Sequence, residues 1–366
     1  MSPTTSTKKN PPPLHTYKIA YITALPKEQT AVLATFDSIH QQHHHQIPTP
    51  LTDKNTYTLG CIAQHNIVLL CLPTMGTTAA ASAVTSLLHT FPSIKFVLLV
   101  GIGAVFRETG YGWVMWWLVY LLMVAMQHAG GGLNRPGGKL LGAVNRLRSE
   151  YALFGVGVGR VLRELEEAPR GGLGLGREFT RCEELRDPMI LGDKDGGGCW
   201  WSVLGSMVWG IVVTILVGVF GFRLDGMKVR VEEGRNKREG DVCEEEQKSE
   251  KQVNVHYGLI ASGNWAVRDA KARDALNKRF EGQLLCIETG GAAGVMNEVP
   301  SLVICGISDY ADASANDDWQ AYAATVAAAY AKELLGFLHP CVDDVDMEHL
   351  SRAGIETEGR YLSYIC

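Results

Sequence analysis

Apolar and polar positions along the chain sort into short strands and helices in alternation. YKIAYITAL (17–25) reads as a buried strand, and Pro26-Lys27-Glu28-Gln29 then opens a helix through about Phe36. Proline suits a first helical turn because its missing N–H would be unpaired there anyway. Thr56–Gly60 and Asn66–Leu72 read as strands paired across a turn at Gln64-His65, and Gly76–His89 as an alanine-rich helix. FPSIKFVLLVGIGAV (91–105) is an apolar strand running into a glycine turn. Lys139–Glu150 is amphipathic, His256–Ser262 and Leu302–Ser308 read as strands, and Trp265–Phe280 and Gln320–Leu338 as helices. Tyr322, Val326, Tyr330 and Phe337 fall on one side of the last helix. Strands alternating with helices indicate an α/β sheet.

Three kinds of segment break the pattern. Residues 1–15 are polar and proline-rich and are expected to be a disordered tail; 223–252 is dense in both charge signs and reads as a solvated linker. HQQHHHQIPTP (40–50) reads as a polar loop, its histidines lacking the carboxylate or cysteine that would complete a metal site. The third kind is uncharged and apolar. Residues 200–222 carry no charge over 23 positions, enough helix to cross a bilayer, and 111–126 are similar but short for a span.

Composition narrows the function classes. The chain has 366 residues and a formal net charge of -5, so it lacks the basic field that a long nucleic-acid backbone needs. Small-molecule chemistry is the better expectation. The 9 cysteines include no CxxC pair, which argues against zinc knuckles, and their odd number suits a reducing compartment. Residues 1–15 hold no apolar stretch of the secretory type. These features point to a cytoplasmic location, with membrane association through 200–222 the alternative.

Candidate chemistry sits where strands end, since open α/β sheets bind ligands outside their carboxyl ends. LVGIGAV (99–105) delivers a tight glycine loop, VHYGLIASGN (255–264) a Ser-Gly turn, and LVICGISDYAD (302–312) delivers Ser308, Asp309 and Asp312. Taken singly, each has a plain structural alternative: a helix cap for the aspartate, a tight turn for the glycines. GIGAVF lacks the third glycine of a dinucleotide fingerprint.

Together, the order and spacing of these segments resemble the nucleoside phosphorylase/nucleosidase superfamily. The likeness is greatest to a fungal branch whose domains often sit beside NACHT, ankyrin or tetratricopeptide modules. YITALPKEQTAV, NTYTLGCIAQHNIVLLCLP, FPSIKFVLLVGIGAV, VHYGLIASGN and GISDYADASANDDWQAYAATVAAAYAKELL carry the resemblance over about 17–105 and 254–339, with a weaker match at 133–151. It implies a three-layer α/β/α domain around a central mixed sheet over 16–339, with 340–366 as a tail, in a family that is often oligomeric. It also implies cleavage of the N-glycosidic bond of purine nucleosides. Asp309 takes the place of the acid that protonates the purine, with Ser308 beside it. Glu28 takes the place of the group that activates the attacking water; its alternative is a first-turn glutamate favoured by the helix dipole. Gly101, Gly103 and Ala104 would present backbone N–H groups to an anion or water. Ser262, Gly263, Asn264 and Trp265 would line the base pocket, Trp265 stacking on purine or serving as a core aromatic. No metal or organic cofactor is implied. Phosphate would be a cosubstrate only for a phosphorylase, and FVLLV before Gly101 lacks the arginine that phosphorylases of the bacterial type carry, which favours water.

The chain departs from the family in two places. Members usually read FEMEAAG, the second glutamate holding the ribose. Here CIETGGAAGVMN (286–297) puts Gly291 at that position, and Glu288 is displaced by an apparent one-residue insertion. The family's GDVVV strand is replaced by the apolar 111–132, and the region from Arg186 to His256 is also unlike the family. Membrane spans, lineage-specific insertions and a translation artefact all remain open for the apolar segments. A catalytically inactive nucleoside-sensing or interaction module, membrane-tethered if 200–222 is a real span, is the alternative to an enzyme.

Overall fold

The computed structural model describes residues 12–40, 49–106, 120–124, 127–128, 131–132, 136–167, 175–180, 253–315 and 317–339. Expectations for 1–11, for the histidines at 43–45, and for 200–222, 223–252 and 340–366 fall outside the described residues. Among the described residues no helix is long and apolar enough to cross a membrane.

In chain order the elements are β1 (Ile19–Thr23), α1 (Pro26–Ala34), β2 (Ser38–Ile39), β3 (Tyr57–Ile62), β4 (His65–Cys71), α2 (Thr77–Thr90) and β5 (Phe96–Val105). Then come β6 (Tyr120–Val124), β7 (Gln127–His128), β8 (Gly131–Gly132), α3 (Gly138–Phe154) and α4 (Val158–Glu167). The last are β9 (Asn254–Tyr257), β10 (Leu259–Ser262), α5 (Ala270–Arg279), β11 (Leu284–Glu288), α6 (Ala292–Glu298), β12 (Ser301–Asp309) and α7 (Gln320–Gly336). The main sheet runs β2-β3-β4-β1-β5-β12-β6-β9, and β11 pairs antiparallel with the end of β5, carrying β10 beside it. β1, β4, β5 and β12 are mutually parallel neighbours, while β3 and β6 pair antiparallel, so the sheet is mixed.

Strand alternation explains the layers. Ile19, Tyr21, Leu98, Val100, Leu302 and Ile304 point to one face, where α1, α3, α4 and α7 pack on them. Their neighbours Ala20, Ile22, Val97, Leu99, Val303 and Cys305 point to the other face, against α2 and α6. Both faces of these central strands are covered, which is why they read as unbroken apolar runs. The result is the α/β/α sandwich that the resemblance implies.

Four local expectations are corrected. The place of the missing strand is filled: Tyr120–Val124, inside the apolar 111–126 segment, pairs antiparallel with β12 and parallel with β9. Five residues of that segment are therefore sheet, which a bilayer span would not allow. The strand expected over 256–262 divides at Gly258, where a Cβ would stand 2.4 Å from Leu285 Cδ1. The division lets the chain leave β6 and join β11. The helix expected from Trp265 begins only at Ala270, because Asp269 caps it by accepting from the Lys271 N–H at 3.1 Å. The β3–β4 turn falls on Ala63 and Gln64, both at positive φ, one residue before the expected place.

Two helices lie so close to their neighbours that only hydrogen fits between them. A Cβ at Gly306 of β12 would stand 1.9 Å from the Ala323 carbonyl oxygen of α7, and one at Gly294 of α6 would stand 2.0 Å from the Thr77 oxygen of α2. Gly306→Val should therefore force α7 off the sheet and lower unfolding free energy by about 1–3 kcal/mol or more. Equilibrium denaturation measures this, and an unchanged midpoint would show that the approach is not needed.

Candidate active site

β1 ends at Thr23, and the two residues after it carry the chain into α1. Pro26 starts the helix, so Glu28 lies in its first turn and folds back over the strand end. Its Oε2 accepts from the Ala24 N–H at 2.7 Å and the Leu25 N–H at 2.9 Å. Its Oε1 accepts from the Ile102 N–H of β5 at 2.9 Å. That last bond needs glycine at 101, where a Cβ would approach Oε1 to 2.8 Å. Glu28 is 4% exposed. Burial pushes its carboxyl up to about 7; the three N–H donors pull the other way, and the Glu288 carboxylate adds to the rise.

Glu288 ends β11 and is equally buried. Its Oε2 accepts from the Gly291 N–H at 3.1 Å and its Oε1 from the Ala292 N–H at 2.9 Å, where α6 begins. Ser262 at the end of β10 completes the holder: it hydrogen-bonds Glu288 and its Oγ accepts from the Ala293 N–H at 3.1 Å. Gly291 sits at φ +99°, and a Cβ there would stand 2.6 Å from the Gly76 carbonyl oxygen. No glutamate fits at 291; this loop requires glycine. The carboxylate at 288 lines the cavity instead.

Asp309 ends β12 after a register shift in its pairing with β5. Its Oδ2 accepts from Ser308 Oγ at 2.8 Å and its Oδ1 from the Ala311 N–H at 2.9 Å. Burial holds its carboxyl above the usual range, against the pull of these bonds and of the Arg268 guanidinium. The turn beyond it is fixed from α5. Arg273, 3% exposed, donates from Nη1 to the Tyr310 carbonyl at 2.7 Å and stands 3.7 Å from Asp312 Oδ2. Ala311 is held at φ +52° in this turn.

These strand ends open on one cavity of about 260 Å³. Of the residues singled out from the sequence, Glu28, Gly101, Gly103, Ala104, Glu288, Ser308 and Asp309 all line it. Ser262, Gly263, Asn264 and Trp265 are not among the lining residues. Ser262 acts behind Glu288, Asn264 Oδ1 caps α2 by accepting from the Thr77 N–H at 2.8 Å, and Trp265 is 85% exposed. The wall expected from them is made by the next three residues, Ala266, Val267 and Arg268. Arg268, Asp317 and Gln320 also line the cavity, and sequence reading passed over them as ordinary loop and helix-end polar groups. Arg268 was findable only by its place just after the ASGN turn.

Each of the three site carboxyls binds its proton more tightly in the folded chain than in water. The unfolded chain therefore ionises first, and stability falls as pH rises from about 4.5 to about 7, where Glu28 itself ionises. Glu28 alone contributes a fall of up to roughly 3 kcal/mol. Denaturant midpoints should be lower at pH 8 than at pH 5, and a midpoint that rises over this interval contradicts the placement of these carboxyls.

No protein-family model matches the chain. A nucleotide-binding leucine-rich repeat (NLR)-like protein of Hyaloscypha variabilis is 33% identical over 343 residues, 88% of this chain. The chain spans about 30% of the length of that curated relative. Similar solved structures include a 5'-methylthioadenosine/S-adenosylhomocysteine nucleosidase of Helicobacter pylori, at 17% identity and TM-score 0.45, covering 87% of this chain and 98% of that one. The futalosine hydrolase of the same organism follows at 14% and 0.46, covering 87% and 97%. A Neisseria meningitidis nucleosidase of the first kind is similar at 15% and 0.46, covering 87% and 99%.

Proposed function

We propose that this chain belongs to the nucleoside phosphorylase/nucleosidase superfamily and cleaves the N-glycosidic bond of purine nucleosides by hydrolysis. The observation that supports this best is the convergence of Glu28, Glu288 and Asp309 on one cavity from three separate strand ends. Breaking a ribosyl–purine bond puts positive charge on the sugar and negative charge on the base. A protonated Asp309 delivers its proton to the purine, so the base leaves neutral. Burial at the strand end favours that protonated form. Glu28, ionised, takes a proton from the attacking water. Glu288 faces the same space and serves as acceptor for the ribose hydroxyls, the role the resemblance assigns to the position now held by Gly291. The scheme calls on no metal and no organic cofactor.

Water rather than phosphate is favoured by charge. The cavity lining holds the carboxyls of Glu28, Glu288, Asp309 and Asp317, and Arg268 is its one cationic side chain among the described residues. A phosphate dianion would meet carboxylates where it needs donors.

Asp309→Asn should lower base release from purine nucleosides by about 10²–10⁴ while leaving the fold intact, because the amide has no proton to deliver. Rate should be independent of phosphate. kcat should fall below about pH 7 as Glu28 takes up its proton, and fall again where Asp309 loses its own. Cleavage untouched by Asp309→Asn contradicts the assignment, and a phosphate requirement makes the chain a phosphorylase. One observation supports a second reading, a nucleoside-sensing module without turnover: the match to a far longer NLR-like protein. Nucleoside binding without cleavage would establish it.

A further inference from the structure

We infer that Arg268 selects the nucleobase, and that the preferred substrates are 6-oxopurine nucleosides, hypoxanthine or guanine as the base, over 6-aminopurine ones. The inference rests on the cavity being a purine-nucleoside site with Asp309 at N7. In a purine, the group next to N7 on the same edge is the substituent at position 6. A 6-oxopurine presents two acceptors along that edge, and a 6-aminopurine presents an acceptor and a donor. The side chains flanking Asp309 therefore read position 6.

Acceptor capacity on the protein side is already drawn upon there. Asp309 faces N7 as a proton donor in this reading, and each of its oxygens already accepts one bond, Oδ2 from Ser308 Oγ and Oδ1 from the Ala311 N–H. Uncommitted donor capacity is at hand instead. Arg268 lines the same cavity, stands close enough to Asp309 to act on its charge, and makes no hydrogen bond or ion pair among the described residues. Its guanidinium carries five N–H groups and no acceptor. A carbonyl oxygen at position 6 matches that inventory, and an amino group opposes it. Of the other lining residues, Ala266, Val267 and Ile287 are apolar and do not discriminate between the two, while Gln320 is bonded to Asp317 Oδ1 through Nε2 and to Lys27 through Oε1. Among the described residues no aromatic ring lines the cavity, so the guanidinium is also the one flat group there that can lie against a base.

Binding of free hypoxanthine and free adenine to the full chain, measured by titration calorimetry, tests this without requiring turnover. The unmodified chain should bind hypoxanthine more tightly by roughly tenfold or more, and Arg268→Gln should erase most of that difference while adenine affinity holds or improves. Arg268→Lys should recover only part of it, since an ammonium lacks the planar fork. Arg268 is exposed at the rim, so these variants should fold as the parent does. Equal affinity for both bases, a preference for adenine, or a hypoxanthine preference that survives Arg268→Gln overturns the inference and leaves the cleavage reading standing. Failure to bind either base overturns both. Competition of hypoxanthine by inorganic phosphate that disappears in Arg268→Gln would assign the arginine to an anion instead and also overturns it.

Discussion

The hydrogen bond from the Ile102 N–H to Glu28 ties the start of α1 to the middle of β5, and the arrangement of the site depends on it. β5 sits at the centre of the sheet, parallel to β1 on one side and β12 on the other. Parallel neighbours end at the same edge, so the loops after β1 and β12 meet above the glycines of β5. A buried carboxylate must be supplied with donors. Here the donors come from Ala24, Leu25 and Ile102, two at the β1 exit and one on β5. The bond can form because Gly101 has no side chain. Replacing hydrogen there by methyl would set the strand against the group it holds.

Four carboxyls line one cavity, three of them with raised proton affinity, and this has a cost and a use. Like charges close together in low dielectric raise one another's proton affinity, as Glu288 does to Glu28. The protein binds protons at these positions at a pH where free carboxylates have lost them. The proposed chemistry asks one of these carboxyls to act as acid and another as base, set apart by what each oxygen accepts. Glu28 takes three backbone donors, while Asp309 takes one hydroxyl and one backbone N–H and feels a guanidinium. The stability lost near neutral pH is the counterpart of the reactivity proposed for the site.

Much of this was legible in the sequence because strand ends announce themselves. An apolar run that stops at Gly-Ile-Gly or Ser-Asp places those residues at the sheet's edge whatever the partner strands are, and Glu28 follows from a proline at a helix start. The helix onset at Ala270 was not legible, since Asp269 as a cap looks like any other charged residue in a helical window. Nor was the fate of Asn264 and Trp265. An asparagine that caps a helix 187 positions away leaves no local trace, and once Asn264 is committed to Thr77 the next side chain points outward. β6 was hidden for a different reason. A run as apolar as 111–126 has no polar alternation to mark five residues as strand, and only the vacancy beside β12 selects them.

Gly291 shows how a departure from a sequence pattern can be read as geometry. The pattern of the family that the sequence resembles expects a glutamate at 291, where this chain has glycine. In three dimensions, residue 291 lies at positive φ against the Gly76 carbonyl, and a Cβ has no room. The Gly290-Gly291 turn thus excludes a side chain at 291. The same turn points its N–H groups at residue 288, the last of β11, and a carboxylate there is met by Gly291, Ala292 and Ser262. A helix start that offers N–H groups favours an anion, so the turn that excludes a side chain at 291 also seats the carboxyl at 288. Gly291, Ala292 and Ser262 together fix the direction in which the Glu288 carboxyl faces the cavity. Glu288 is buried, oriented and on the cavity wall, as the role proposed for it requires.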